Sequence, residues 1–230
     1  LLGVNGAGKT TTIKMLSCLT QPTGGDAFLN GKSIRTNAGE VKTMIAVSPQ
    51  ETAVAPGLSV RENLELMCGV HGFPKAKRSE KIAALTNLLG LEAVLHKKAG
   101  KLSGGWQRRL SIAMALISEP EILFLDEPTL GLDILARSDL WDLIRSLKGK
   151  ITIILTTHYM EEAALADRVV VMDEGKVVLD GTPREVFAQG ERLTALGLDV
   201  PQPTALCTAL RQQGVDIPAD LLTPEECANA

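Results

Sequence analysis

Gly3-Val4-Asn5-Gly6-Ala7-Gly8-Lys9-Thr10 stands almost at the first residue of the chain, and its reading decides the rest. The spacing is G-x-x-x-x-G-K-[ST], the pattern of a loop that cradles phosphates. Glycines let the backbone wrap closely around phosphate oxygens, and successive N–H groups point inward at the start of the following helix. Lys9 can reach the outer phosphates of a bound nucleotide, and the Thr10 hydroxyl can ligate Mg²⁺. Upstream, Leu1-Leu2 reads as the stub of a strand. Downstream, residues 9–19 carry a helical pattern, so the loop falls between strand and helix.

Working outward, residues 44–47, 122–125, 151–155 and 169–172 read as buried strands, each bounded by polar or turn residues. Helical segments between them predict βα units and a mostly parallel sheet covered on both faces, an α/β fold. From Gln50 to Pro120 the strand signal disappears. Ser59-Val60-Arg61-Glu62 is a capping box, because the Ser hydroxyl and the Glu carboxylate can each satisfy an N–H at a helix start. Helices are expected at about 60–70, 75–89 and 104–117, together a helical subdomain of about residues 51–120. After Asp180 short helices are expected at 183–189 and 203–213, and a third from Thr223.

Two further stretches carry chemistry. Ile122-Leu123-Phe124-Leu125-Asp126-Glu127 is an apolar strand ending in two acids. Beside a phosphate loop, Asp126 is placed to hold Mg²⁺ through water. Glu127, one residue further, can polarise the attacking water as general base. By itself such a pair is more often a helix cap or a solvated turn. Leu102-Ser103-Gly104-Gly105-Trp106-Gln107 puts Ser103 at a helix start, followed by two glycines with unobstructed N–H groups, a second anion-binding helix end.

Leu102-Ser103-Gly104-Gly105 resembles the signature of the ABC ATPases, and it lies between the glycine loop and the acid pair, as in that family. Gln50, in Ser48-Pro49-Gln50, then resembles the Q-loop glutamine. Leu130-Gly131-Leu132-Asp133 resembles the D-loop, and His158 the switch histidine. His71 and His96 match nothing and read as surface or packing residues. The likeness runs from Gly3 to about Phe187, with the motifs in family order. Trp106 departs from the polar residue often found there, and tolerance is expected.

The resemblance implies a P-loop NTPase (RecA-like) core with an inserted helical subdomain, and a head-to-tail dimer that sandwiches two ATP molecules. It implies nucleotide contacts from Gly3, Asn5, Gly6, Gly8, Lys9, Thr10 and Thr11. Ser103, Gly104 and Gly105 would face the glycine loop of the other subunit, and Asp133 is also implied in nucleotide binding. Thr10, Gln50 and Asp126 would serve Mg²⁺, and Glu127, Gln50 and His158 hydrolysis. Closure on ATP would move the helical subdomain and with it a transmembrane partner. The cofactors implied are ATP and Mg²⁺. The partners implied are a transmembrane transporter subunit and a second ATPase subunit, with the chain peripheral on the cytoplasmic face of the cell membrane.

Up to about Ala164 the likeness is to multidrug or polysaccharide-type exporter ATPases. Beyond that point, Gly181-Thr182-Pro183-Arg184-Glu185-Val186-Phe187 and Leu196-Gly197-Leu198-Asp199-Val200-Pro201 resemble energy-coupling factor ATPases of vitamin and metal-ion uptake. A rival reading is a soluble ABC ATPase of DNA repair, chromosome structure or translation. Repair and chromosome members carry long coiled-coil or zinc insertions, and the stretch from Gln50 to Ser103 holds neither.

Composition agrees. The 230 residues are 45% apolar and 22% charged with a net charge of −3, so a packed core is expected and no basic field exists for nucleic acid. No apolar run approaches the ~18 residues needed to span a bilayer. The four cysteines include no Cys-x-x-Cys pair and read as reduced thiols. The chain opens on Leu, almost inside a motif, and reads as a fragment lacking its N-terminal strands and the aromatic residue that stacks on adenine in this family. The expected domains are residues 1–190 for the ATPase and 191–230 for a helical appendage. Leu206, Leu210 and Val215 lie near helical spacing, a stripe for docking on the chain's own core or for a subunit contact.

Overall fold

The computed structural model describes residues 1–218 and 220–229. In chain order its elements begin with α1 (Lys9–Leu16), β1 (Phe28–Leu29), β2 (Lys32–Ser33), α2 (Ala38–Met44) and β3 (Ile45–Ser48). Then come α3 (Val60–Val70), α4 (Lys75–Leu89), α5 (Gly104–Leu116), β4 (Ile122–Leu125), α6 (Ile134–Ser146) and β5 (Thr152–Leu155). The chain continues with α7 (Met160–Ala163), β6 (Val169–Asp173), β7 (Lys176–Gly181) and α8 (Pro183–Phe187). It ends with α9 (Gly190–Ala195), α10 (Gln202–Gln212) and α11 (Pro224–Ala228). Two compact units result: Leu1–Thr12 with Thr156–Ala230, and Ile13–Leu155.

In the unit of residues 13–155, β3, β4 and β5 form a parallel sheet in that order. Its register sets Ile45 beside Ile122 and Leu125 beside Leu155. All four residues of the middle strand β4 are buried, which is why its sequence is continuously apolar rather than alternating. The stretch after β3 is helical as expected. Ser59 caps α3 in a full capping box, accepting from the Glu62 N–H while its own N–H donates to Glu62 Oε2 at 2.6 Å. Gly90, at φ 63°, ends α4 in the left-handed conformation that glycine adopts without penalty. Helix α5 packs on α3, α4, α6 and β3 and buries Leu110, Ile112, Ala113 and Met114. The short antiparallel pair β1–β2 was not anticipated, although its turn, Asn30-Gly31, has positive φ at both residues and is a recognised hairpin signal.

The unit of residues 1–12 and 156–230 is built around Leu2. Its N–H donates to Val170 O at 2.9 Å and its carbonyl accepts from Met172 N–H at 2.8 Å, while Thr157 N–H donates to Leu1 O at 3.0 Å. Leu2 therefore bridges in parallel to both Thr157 and Val171, a strand stub paired on two sides. The sheet is less uniformly parallel than the sequence reading holds. Strand β6 pairs antiparallel with β7, which that reading missed, through the turn Glu174-Gly175 at φ 46° and 76°. Three of the six β7 residues are exposed, so its apolar signal is diluted.

The tail contributes to this core, since Leu193, Leu198 and Leu222 pack with Leu2, Val171, Val186 and Phe187. Arg184 ion-pairs with Asp220 and Glu226, and Thr204 Oγ1 donates to Leu221 O at 2.6 Å. Helix α10 buries Pro203, Thr204 and Cys207 and leaves Leu206 exposed, and Val215 beyond its end is exposed as well. Cys207 and Cys227, both free thiols, lie with their sulfurs 3.3 Å apart. No helix among the described residues is long and apolar enough to cross a membrane.

Candidate functional site

In the first-described glycine loop, steric necessity is local and visible. A Cβ on Gly3 would sit 2.5 Å from the Met172 carbonyl oxygen, and one on Gly8 3.1 Å from Gly175 Cα. Gly6 and Gly8 have φ of 88° and 100°, which L side chains rarely adopt. The loop is closed by Ala7 N–H donating to Val4 O at 3.2 Å and Gly175 N–H donating to Ala7 O at 3.0 Å. Lys9 is the first residue of α1 and only 6% exposed; its ammonium donates to Gly3 O at 2.7 Å and Val4 O at 3.2 Å. Thr10 is half-buried and Thr11 exposed on the first turn, where a helix carries N–H groups without an intrahelical acceptor. Asn5 and Gly6 are exposed at the loop's tip.

His158 belongs to the same unit, one residue beyond Thr157, which pairs with the Leu2 stub. Its imidazole is half-buried, with the Tyr159 ring centroid 4.1 Å away at 37°.

In the other unit, Asp126 and Glu127 close β4. Both carboxylates are nearly buried, at 5% and 6% exposure, and Asp126 N–H donates to Ser48 O at 3.1 Å. Glu127 has φ 45°, left-handed backbone that costs a non-glycine residue roughly 1–2 kcal/mol. Gln50 is exposed, and its segment is pinned from behind: the Arg108 guanidinium donates to Pro49 O at 2.6 Å and also to Gln50 O. Burial pushes the Arg108 pKa down, and the nearby negative charge of Asp126 opposes that shift. Arg108 thus ties the Gln50 segment to α5 beside the acid. The sequence reading missed this role, because nothing in Gln107-Arg108-Arg109 marks which arginine turns inward.

Ser103 is the N-cap residue of α5 and exposed, with no capping bond from its side chain. Gly104 is exposed, and a Cβ on Gly105 would meet Ala136 Cβ at 2.9 Å. Gly105 is therefore needed for the close approach of α5 and α6 whatever else it does. Asp133 caps α6, its Oδ1 accepting from Ala136 N–H at 2.9 Å. Trp106 lies beneath the Arg109 guanidinium, 5.1 Å from its ring centroid. His71 and His96 are exposed.

A loop whose glycines are demanded by backbone geometry, opening a helix beside a doubly paired strand stub, makes this chain a P-loop nucleoside triphosphatase. Residues 1–130 match the family model described as ABC transporter, and the chain belongs to that family. It is 38% identical over 243 aligned positions to an energy-coupling factor transporter ATP-binding protein of Caldanaerobacter subterraneus subsp. tengcongensis, covering 98% of this chain and 83% of that protein. It is 41% identical over 209 positions to a Nod factor export ATP-binding protein of Burkholderia orbicola, covering 90% and 68%. Among solved structures, CbiO1 of Clostridium perfringens, described as part of an ABC transporter complex, superposes with a TM-score of 0.75. That likeness is at 30% identity and covers 84% of this chain and 80% of the other. The protein is an ATP-binding and ATP-hydrolysing subunit of an ABC transporter and works with a separate transmembrane partner.

Proposed function

We propose that the chain acts as one member of an ATPase pair on the cytoplasmic face of the membrane, binding ATP with Mg²⁺. Ser103, Gly104 and Gly105 face the glycine loop of the other subunit, which is a second copy or a related ATPase chain. The observation that carries this reading is the loop itself, whose glycines and helix start suit phosphate oxygens. Gly3, Asn5, Gly6, Gly8, Lys9, Thr10 and Thr11 then hold the phosphates. The proposed metal donors are a hydroxyl (Thr10), an amide oxygen (Gln50) and a carboxylate (Asp126), an all-oxygen set suited to a hard cation. Bound Mg²⁺ supplies charge neutralisation on the phosphates.

Glu127 takes the proton of the attacking water, while His158 orients on the terminal phosphate and Gln50 senses the metal. Asp133, which caps α6, is proposed to serve nucleotide binding. The net charge of −3 leaves no basic field for nucleic acid as partner. The exposed Leu206 and Val215 of the tail are proposed as part of the subunit contact.

Glu127→Gln tests the catalytic assignment, because it keeps the shape and removes the base. Turnover should fall by ~10²–10⁴ while ATP binding persists. Retention of more than half of native turnover would sink the role of Glu127.

A further inference from the structure

Close to His158 lies a buried carboxylate that no role above uses. Glu162, in α7, is 2% exposed, and its Oε2 accepts a 2.6 Å hydrogen bond from Thr157 Oγ1. The same Thr157 oxygen accepts from the backbone N–H of Tyr159 at 3.0 Å. These two bonds straddle His158: the residue before it is tied to Glu162, and the residue after it is tied to the residue before. Thr157 is itself fixed, 1% exposed and bridged to the Leu2 stub. The peptide planes on both sides of His158 are therefore held, and with them the direction in which its Cβ leaves the backbone. Burying a carboxylate is unfavourable unless it is hydrogen-bonded, so an apolar residue would serve packing alone at lower cost.

We propose that Glu162 is a positioning residue for ATP hydrolysis, setting the imidazole of His158 through the Thr157 hydroxyl. The proposal rests on the reading of His158 as the group that contacts the terminal phosphate. Thr157 Oγ1 donates a hydrogen bond to the Glu162 carboxylate and accepts one from Tyr159 N–H, so one hydroxyl serves both anchors. Threonine or serine can do this, and valine, of nearly the same shape, cannot.

ATP turnover and ATP affinity are to be measured on the full-length protein for His158→Ala, Thr157→Val, Thr157→Ser, Glu162→Gln and the double variant His158→Ala/Thr157→Val. Misplacing a catalytic group by about 1 Å lowers rate by about 10²-fold, so Thr157→Val should lose ~10–100-fold in kcat. ATP affinity should stay within about twofold, because binding does not pass through this contact. Thr157→Ser should restore most of the rate, and Glu162→Gln, which keeps an acceptor oxygen, should lose less than Thr157→Val. In the double variant the loss should equal that of His158→Ala alone, since Thr157 acts only through His158. A merely structural contact would instead multiply the two losses, and that result overturns the proposal.

Native turnover in Thr157→Val, beside a crippled His158→Ala, overturns it too while leaving the reading of His158 intact. Native turnover in His158→Ala removes that reading and this proposal together. Where Thr157→Val folds poorly, the contrast between Thr157→Ser and Thr157→Ala decides by the same criterion.

Discussion

At the glycine loop the chain takes its left-handed turns through Gly6 at φ 88° and Gly8 at φ 100°, whereas at the end of β4 the left-handed residue is Glu127 at φ 45°. Both turns follow a strand, and both hold residues proposed to carry chemistry. In the loop the backbone itself is proposed to hold the phosphates, and any side chain at Gly3 would collide with the Met172 carbonyl. Glycine then satisfies geometry and function at once, and no strain is stored. After β4 a carboxylate is the group proposed to act, and the glycine that geometry would prefer would remove it. The strain, roughly 1–2 kcal/mol, is tolerated because buried structure on either side fixes the turn. At these two turns positive φ falls on glycine where the backbone is proposed to hold phosphate, and on Glu127 where a side chain is proposed to act.

The sharpest way to break this comparison is Glu127→Gly. Turnover should fall by ~10²–10⁴, as in Glu127→Gln, since the base is gone. The melting temperature should nevertheless be no lower than that of Glu127→Gln, because the strain is released with the side chain. If the glycine variant melts well below the glutamine variant, Glu127 is not held against its preferred backbone and the contrast collapses.

A smaller effect separates positions within the loop. Gly3→Ala forces a Cβ to 2.5 Å from a backbone oxygen that cannot swing aside. The loop must shift, and ATP affinity measured by calorimetry should drop ~10–100-fold, the equivalent of a 1–3 kcal/mol overpacking penalty. Gly6→Ala meets nothing within 4 Å and carries only its φ penalty. It should cost about 1 kcal/mol in stability and less in affinity than Gly3→Ala. Equal affinity losses would show that conformation, not the close approach to Met172, is the limiting constraint.

The smallest effect lies where a side chain caps a backbone in both units. Ser59→Ala removes the α3 cap and should lower stability by about 1 kcal/mol in denaturant unfolding. Glu62 and Glu185 are held below the usual carboxylate range, first of all by the N–H groups of Ser59 and Thr182 that they accept from. A depressed folded pKa means stability that is present above the unfolded value and is lost as pH falls through the folded one. The capping contribution should therefore be complete at neutral pH and fade below about pH 4. A Ser59→Ala deficit that stays constant from pH 7 to pH 3 would show that the Glu62 arm of the box adds nothing.

The sequence by itself determined the local elements whose signals are short-range. The glycine loop, the capping box at Ser59, the all-apolar β4 with its acid pair and the Ser103 start of α5 each depend on neighbours within a few residues. Their physics is that of turns, caps and periodicity, so the chain spells them out, and the family likeness reads off the same residues. Even here two short-range signals went unread, the Asn30-Gly31 and Glu174-Gly175 hairpin turns, because their strands are short or exposed. Only the tertiary structure decided which polar side chains turn inward. Arg108, and not Arg109, reaches the Pro49 and Gln50 carbonyls; Glu162, and not Glu161, receives the Thr157 hydroxyl; Gly105 is needed because Ala136 lies against it. Adjacent residues of the same type are equivalent in sequence, and they become distinct only when packing removes water from one of them and leaves the other wet.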